Sequence, residues 1–156
     1  MSYLHHTTID VLYLYSPYSP QNQRRKAMRF IDLSTWDRAM HYQAFRNSVQ
    51  PQYCVTFDLD ITNFLPKIKA KGYSFTFAFV YAVTKCANQI EAFRCRFVDG
   101  KPAVLDTVNT SFTYLKKGTE LFKVVNVPMQ DSMEEYVALA KKTEDNQTAY
   151  FTGPMG

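Results

Sequence analysis

The side chains with the widest chemical reach in this chain are three histidines, His5, His6 and His41, and three cysteines, Cys54, Cys86 and Cys95. An imidazole, with an ordinary pKa of about 6.5, is the natural proton acceptor near neutral pH. His41 lies one helical turn beyond Asp37 and reads as a helix-surface or half-buried residue. His5 and His6 stand close to the N-terminus, upstream of Asp10 and an irregular stretch rich in Tyr, Ser and Pro. The cysteines form no C-x-x-C pair and leave an odd one over, so neither a disulfide framework nor a zinc site is expected. They read as small buried apolar residues, and no metal is expected.

These residues must be carried by a packed domain. The chain has 156 residues, 46% of them apolar and 15% aromatic, enough for one core and too few for two. Its net charge of +4 comes from basic residues scattered in twos and threes, such as Arg24-Arg25-Lys26 and Lys141-Lys142, which argues against nucleic acid as a partner. The longest apolar run, Tyr73 to Thr84, is short of the roughly 17 to 25 residues of a membrane helix. No lysine or arginine precedes the brief apolar patch Val11 to Tyr15, so no secretory signal is read and a cytoplasmic protein is expected.

Residues 1–25 form an irregular leader, 26–150 a single domain and 151–156 a tail. Ser34 offers a capping hydroxyl to a first helix running toward Arg46, with Trp36, Met40, Ala44 and Phe45 on one face. Tyr53 to Asp60 alternates apolar and polar residues, which predicts a strand. Thr62 is the expected cap of a short helix over Phe64, Leu65 and Ile68, closed near Gly72. Ser74 to Ala92 predicts a central helix that buries Phe75, Phe79, Ala82, Val83, Cys86 and Ile90.

Asp99-Gly100 predicts the turn of a hairpin between strands Phe93 to Val98 and Ala103 to Asp106. Arg94 and Arg96 alternate with apolar residues there and read as a solvated or interface face. Ser111 to Leu115 and Leu121 to Val127 form a further pair. Asp131 or Ser132 caps a last helix with Met133, Tyr136, Val137 and Ala140 inward, and after Glu144 the chain turns polar. The alternation implies an α/β fold, an α+β-like two-layer sandwich with helices packed on a sheet.

Together these motifs resemble the N-terminal part of the chloramphenicol acetyltransferase family. The resemblance rests on Ser34-Thr35-Trp36-Asp37-Arg38 with His41-Tyr42 and Phe45, on Leu59-Asp60-Ile61-Thr62 with Phe64-Leu65, and on Phe93-Arg94 with Asp99-Gly100. Asp106-Thr107-Val108, Ser111-Phe112-Thr113 and Thr119-Glu120-Leu121-Phe122 complete it.

The resemblance implies a mixed sheet with helices packed on it, a homotrimer, and acetyl transfer from acetyl-CoA to a hydroxyl of a small aromatic molecule of the chloramphenicol type. It places Phe45, Val49, Tyr53 and Leu115 at the acceptor pocket, although the same residue types would also serve plain core packing. It makes Arg38 the residue that pairs with the Asp of a later H-H-x-x-x-D-G signature and so orients the catalytic base. That signature is absent from the stretch where the family carries it, so the domain is expected to be incomplete. No catalytic residue is assigned, and neither autonomous activity nor trimer formation is expected.

His5-His6-Thr7-Thr8-Ile9-Asp10 matches the signature up to Val11, where Gly is required, but it is displaced to the N-terminus and is read as coincidence or a relic of recombination. Two further readings stay open: a non-enzymatic remnant that binds a small molecule or another protein, and half of a split enzyme completed in trans. An incomplete sheet is expected to expose apolar surface and unpaired edges.

Overall fold

The computed structural model describes residues 12–13, 28–50 and 55–152. Its elements are β1 (Leu12–Tyr13), β2 (Met28–Phe30), α1 (Ala39–Phe45), α2 (Phe64–Ala70), α3 (Phe75–Ala87), a 3-10 turn (Glu91–Arg94), β3 (Cys95–Val98), β4 (Lys101–Leu105), β5 (Thr110–Tyr114), β6 (Lys123–Val127) and α4 (Met133–Asn146). The expected α/β arrangement of helices on sheet is present. Among the described residues every strand pair is antiparallel, and the strands fall into two three-stranded sheets, ordered β1-β5-β6 and β2-β4-β3. Within the segment read as an irregular leader, Leu12–Tyr13 pair with Phe112 and Ser111 of β5. The remainder of the leader and residues 153–156 of the tail lie outside the described residues.

The β3–β4 hairpin forms as its sequence predicts. Asp99 (φ 50°) and Gly100 (φ 73°) both occupy the left-handed region that a tight two-residue turn demands, and Val98 faces Lys101 across it. Pro102 sits in the central strand, where a missing N–H would normally break the ladder. Its carbonyl accepts from Ile31, just past the end of β2, so its nitrogen faces a position where the neighbouring strand has already finished.

The core lies between β5–β6 and the pair α3–α4. Phe77, Ala78, Val80 and Tyr81 of α3 meet Phe112, Val125 and Val127 of the sheet and Tyr136, Val137 and Ala140 of α4, with Ile68 of α2 at one end. Ser132 caps α4 with a complete capping box: its Oγ accepts from the Glu135 backbone N–H, while the Glu135 carboxylate accepts from Ser132 N–H. The expected inward face of α4 is correct, with Met133 half-buried at its edge.

The face of α3 differs from the expectation. Phe77, Ala78, Val80, Tyr81, Thr84 and Ala87 are buried, whereas Phe75, Phe79, Ala82 and Val83 are half-buried and Cys86 and Ile90 are exposed. Both sets follow helical spacing because the stretch is apolar all round, so periodicity alone cannot choose between them. The small Ala78 and the ring contact of Phe77 with Phe112 (centroids 5.9 Å apart) decide it. The cysteines follow suit: Cys86 is exposed and Cys95 half-buried, not core residues, while Cys54 lies outside the described residues.

The helix stops at Ala87, short of Ala92, because Asn88 is diverted. Its side-chain amide donates to Val108 O (3.0 Å) and its Oδ1 accepts from Val108 N (2.8 Å). One asparagine thus pairs with a fully buried backbone position in the link between the two sheets, as a strand would.

Three further expectations are corrected. Val55–Asp60 forms no strand; Val55, Phe57 and Leu59 are exposed, because alternation without a partner strand leaves the backbone unpaired. Thr62 does not cap α2; its N–H bonds Asp60 Oδ1 (2.8 Å) and Asn63 takes the cap position. Ser34 does not cap α1 either. It donates to Asp32 through both N–H (2.9 Å) and hydroxyl (2.7 Å), stabilising a turn, and α1 starts only at Ala39 with no buried residue.

Past Glu144, α4 continues to Asn146 and the chain returns along β6. Val124 N–H donates to Tyr150 O (2.7 Å) and the Asn126 side-chain amide donates to Thr152 O (2.6 Å), so residues 150–152 run parallel to that strand.

Tyr136 is fully buried and its hydroxyl lies 2.6 Å from Thr110 Oγ1, which itself donates to Val127 O (2.9 Å). The threonine's only proton is committed to the carbonyl, so Tyr136 is the donor. Burial pushes the phenol up from 10.0 to about 12. A folded pKa above the unfolded one adds stability that is complete below about pH 10 and is lost as pH rises toward 12, on the order of 2 to 3 kcal/mol. Thermal midpoints measured from pH 8 to 12 should therefore fall more steeply for the wild type than for Tyr136→Phe. Asn88→Ala, which strands the Val108 N–H and C=O, should lower unfolding free energy in urea by about 2 to 4 kcal/mol.

Candidate functional site

Helix α1 is short and amphipathic only in part, so aromatic contacts hold it in place. Tyr42 lies between Trp36 (centroids 6.1 Å apart) and Phe97 of β3 (5.9 Å), and Arg46 covers its ring at 5.2 Å. This stack attaches α1 to the β2-β4-β3 sheet. It leaves Met40 and Phe45 exposed, contrary to their expected inward role.

The residues singled out for the acceptor pocket are not gathered into one cavity. Phe45 ends α1, Val49 is fully exposed in the turn beyond it, and Leu115 is exposed just past β5, on the other sheet. Tyr53 lies outside the described residues. Arg38 occupies the N-cap position of α1, exposed, its backbone carbonyl accepting from Tyr42 N (2.9 Å), and among the described residues it makes no ion pair. His41 is exposed on α1, and His5 and His6 lie outside the described residues. An open depression of about 490 Å³ lies elsewhere, beside β6 and α4, lined in part by Asn126, Lys142, Asn146 and Thr152.

Arg94 and Arg96 are not simply solvated. Arg94 Nη1 donates to Leu105 O (2.7 Å), closing the end of β4, and Arg96 Nη1 donates to Cys95 O (2.6 Å) and Phe93 O (3.0 Å). Burial holds the Arg96 guanidinium below its ordinary value.

A charged cluster that pattern reading passed over sits at the far end of the β5–β6 pair. Glu144 is 4% exposed, and its Oε2 accepts from Lys116 Nζ (3.3 Å) while Oε1 lies 3.9 Å from Lys123 Nζ. Lys116 also donates to Asp145 (3.1 Å), which pushes the lysine up and holds the Asp145 carboxyl below its ordinary value. Burial and the Glu144 charge raise the Tyr114 phenol. The visible signal was a glutamate one turn on from Ala140, on the inward face of α4.

Among the described residues no group of three or more His, Cys, Asp or Glu could hold a metal, and no helix is long and apolar enough to cross a membrane. Large apolar side chains are exposed: Met40, Phe45, Val55, Phe57, Phe97 and Leu121 are all more than half exposed. They lie on α1, on the 55–59 segment, on β3 and near the start of β6.

The family model for chloramphenicol acetyltransferase matches residues 27–154. The chain belongs to the chloramphenicol acetyltransferase family. It is 33% identical over 99 residues to the chloramphenicol acetyltransferase of Proteus mirabilis, covering 64% of this chain and 46% of the relative. It is 30% identical over 107 residues to the one from a Klebsiella species, covering 69% and 49%. A solved chloramphenicol acetyltransferase superposes with a TM-score of 0.71 at 26% identity, over 78% of this chain and 57% of that one. The chain thus spans about half the length of the curated relatives it matches.

The attachment of α1 is testable through Trp36, the single tryptophan. Phe97→Ala removes one side of the aromatic stack, worth about 0.5 to 1.5 kcal/mol. Trp36 emission should shift to longer wavelength while the urea midpoint of the core moves little; unchanged emission would show that α1 is held by something other than the stack.

Proposed function

We propose that this chain supplies the acceptor side of an acetyl-CoA-dependent O-acetyltransferase that modifies a hydroxyl of a small aromatic molecule of the chloramphenicol type. The observation that carries the reading is the family match across residues 27–154. Phe45, Val49, Tyr53 and Leu115 form the acceptor wall, where apolar burial and ring stacking would hold an aromatic substrate. The exposure of Phe45, Val49 and Leu115 suits a wall whose opposite side comes from outside the described residues.

Acetyl-CoA serves as co-substrate, and no metal takes part. Attack of the acceptor hydroxyl on the thioester carbon needs a neutral imidazole to take the proton and a donor to stabilise the oxyanion. By family resemblance the base is the second histidine of the H-H-x-x-x-D-G signature, with Arg38 pairing with the signature aspartate to orient it. No catalytic role is assigned to His41, which lies on α1. A complementary segment bearing the signature is therefore required, whether continuous with this chain or separate, and the active protein works in the cytoplasm where acetyl-CoA is available. The exposed apolar faces favour this completion over a free-standing binding protein.

The test is acetyl-CoA thiol release with chloramphenicol as acceptor, using the 156-residue chain alone and with a separately produced segment carrying the signature half of a relative. The chain alone should stay at background, and the mixture should exceed it by at least about 10²-fold, the usual contribution of a general base. Enzyme-like turnover by the lone chain, abolished by His6→Ala, would instead assign the base to the N-terminal histidine pair.

A further inference from the structure

We propose that Glu144 is a positioning residue, a buried carboxylate that clamps both arms of the β5–β6 hairpin and thereby fixes Leu115 against the acceptor. The inference rests on the acceptor-wall reading of Leu115 given above, and its structural half stands on geometry alone.

Lys116 follows Leu115 directly, and Lys123 opens β6 on the opposite arm. Both ammonium groups converge on the one carboxylate, at 3.3 Å and 3.9 Å. Lys123 Nζ also donates to Gln147 O (2.6 Å) and Glu144 O (3.4 Å), tying the same arm to the last turn of α4. Glu144 cannot relax into water, because it is 4% exposed; without the lysines it would be an uncompensated buried charge, among the most costly defects a fold can carry. The position of the two lysines is therefore imposed by α4, not chosen by the hairpin.

The loop between the arms is shaped to transmit that restraint. Thr119 donates to Lys116 O through its N–H (3.1 Å) and its hydroxyl (2.7 Å), and Gly118 (φ 87°) takes the left-handed conformation that closes the turn. Apolar side chains project outward from this closed unit: Leu115 and Leu121 are more than half exposed, and Phe122 makes an edge contact with Phe151 at 6.0 Å. A rigid ionic base beneath an outward apolar rim suits a wall that must hold its shape while presenting hydrophobic groups. Asp145 also bonds Lys116, but this pair is half exposed and screened, so it contributes little.

Hydrogen–deuterium exchange on the 156-residue chain tests the clamp. Glu144→Gln should speed exchange of amides in 115–122 at least about tenfold, with amides in 133–140 changed less than about twofold. Glu144→Asp, which keeps the charge, should restore most of the protection, and Asp145→Asn should leave it unchanged. Lys116→Met, at an exposed site, gives the same loosening should the glutamine variant fail to fold. Unchanged loop exchange in both Glu144→Gln and Lys116→Met, or equal loosening of loop and helix, overturns the proposal.

In the complemented mixture with chloramphenicol, Glu144→Gln should raise KM about fivefold while kcat stays within about twofold, as expected for loss of ground-state positioning. A loosened loop with unchanged KM also overturns it. Absence of turnover by the complemented wild type removes the acceptor reading, and Leu115's role with it; the exchange pattern then still decides whether the clamp exists.

Discussion

The hydroxyl of Tyr136 is the constraint from which the arrangement of the larger layer follows. It is a polar group at the centre of an apolar interface, and it is satisfied only if α4 sits where Thr110 can receive its proton. Thr110 in turn must lie opposite Val127 to pass its own proton on, which fixes the β5–β6 register. Tyr81 packs on the same ring at 5.3 Å and anchors α3 by donating to Asp131 O, immediately before the cap of α4. Three elements and the register of a strand pair are thereby tied to one buried donor, since any other packing leaves it unpaired at a cost of about 1 to 3 kcal/mol.

The second sheet is joined to this layer more lightly. Asn88 grips the linker at Val108, Arg94 closes the end of β4, and α1 rests on the sheet by its aromatic stack. These are side-chain contacts to backbone or ring, made beside the buried Ala103, Val104 and Leu105 of β4. The main buried cluster thus lies around α3, α4, β5 and β6, whereas α1 has no buried residue and Phe30, Phe45 and Phe97 are exposed on the other side.

What could be read in the sequence followed from local chemistry. The Asp99-Gly100 turn, the Ser132 capping box and the inward face of α4 need only neighbouring residues to be specified, and they are found as expected. The family could be recognised because its motifs are local too. Expectations failed where a partner distant in the chain decides. Alternation over Val55–Asp60 could not reveal that no strand pairs with it. The all-apolar α3 offered two equivalent faces until Phe112 chose one. Ser34 carried a capping pattern, but Asp32, two residues earlier, competed for its hydroxyl. The proposed site residues were named from resemblance, and the described fold leaves Phe45 and Leu115 on separate sheets.

The return of residues 150–152 beside β6 also has a protective effect. β6 reads Lys-Val-Val-Asn-Val, a β-branched stretch at the margin of its sheet, with the composition that favours stacking into cross-β fibres when its outer backbone groups are free. Val124 has no such freedom: its N–H is taken by Tyr150 and its carbonyl receives Gln147 Nε2 (3.0 Å) and Thr152 Oγ1 (3.3 Å). The outer backbone groups of Val124 are thus occupied by the chain's own continuation, which blunts this edge against pairing with a foreign copy.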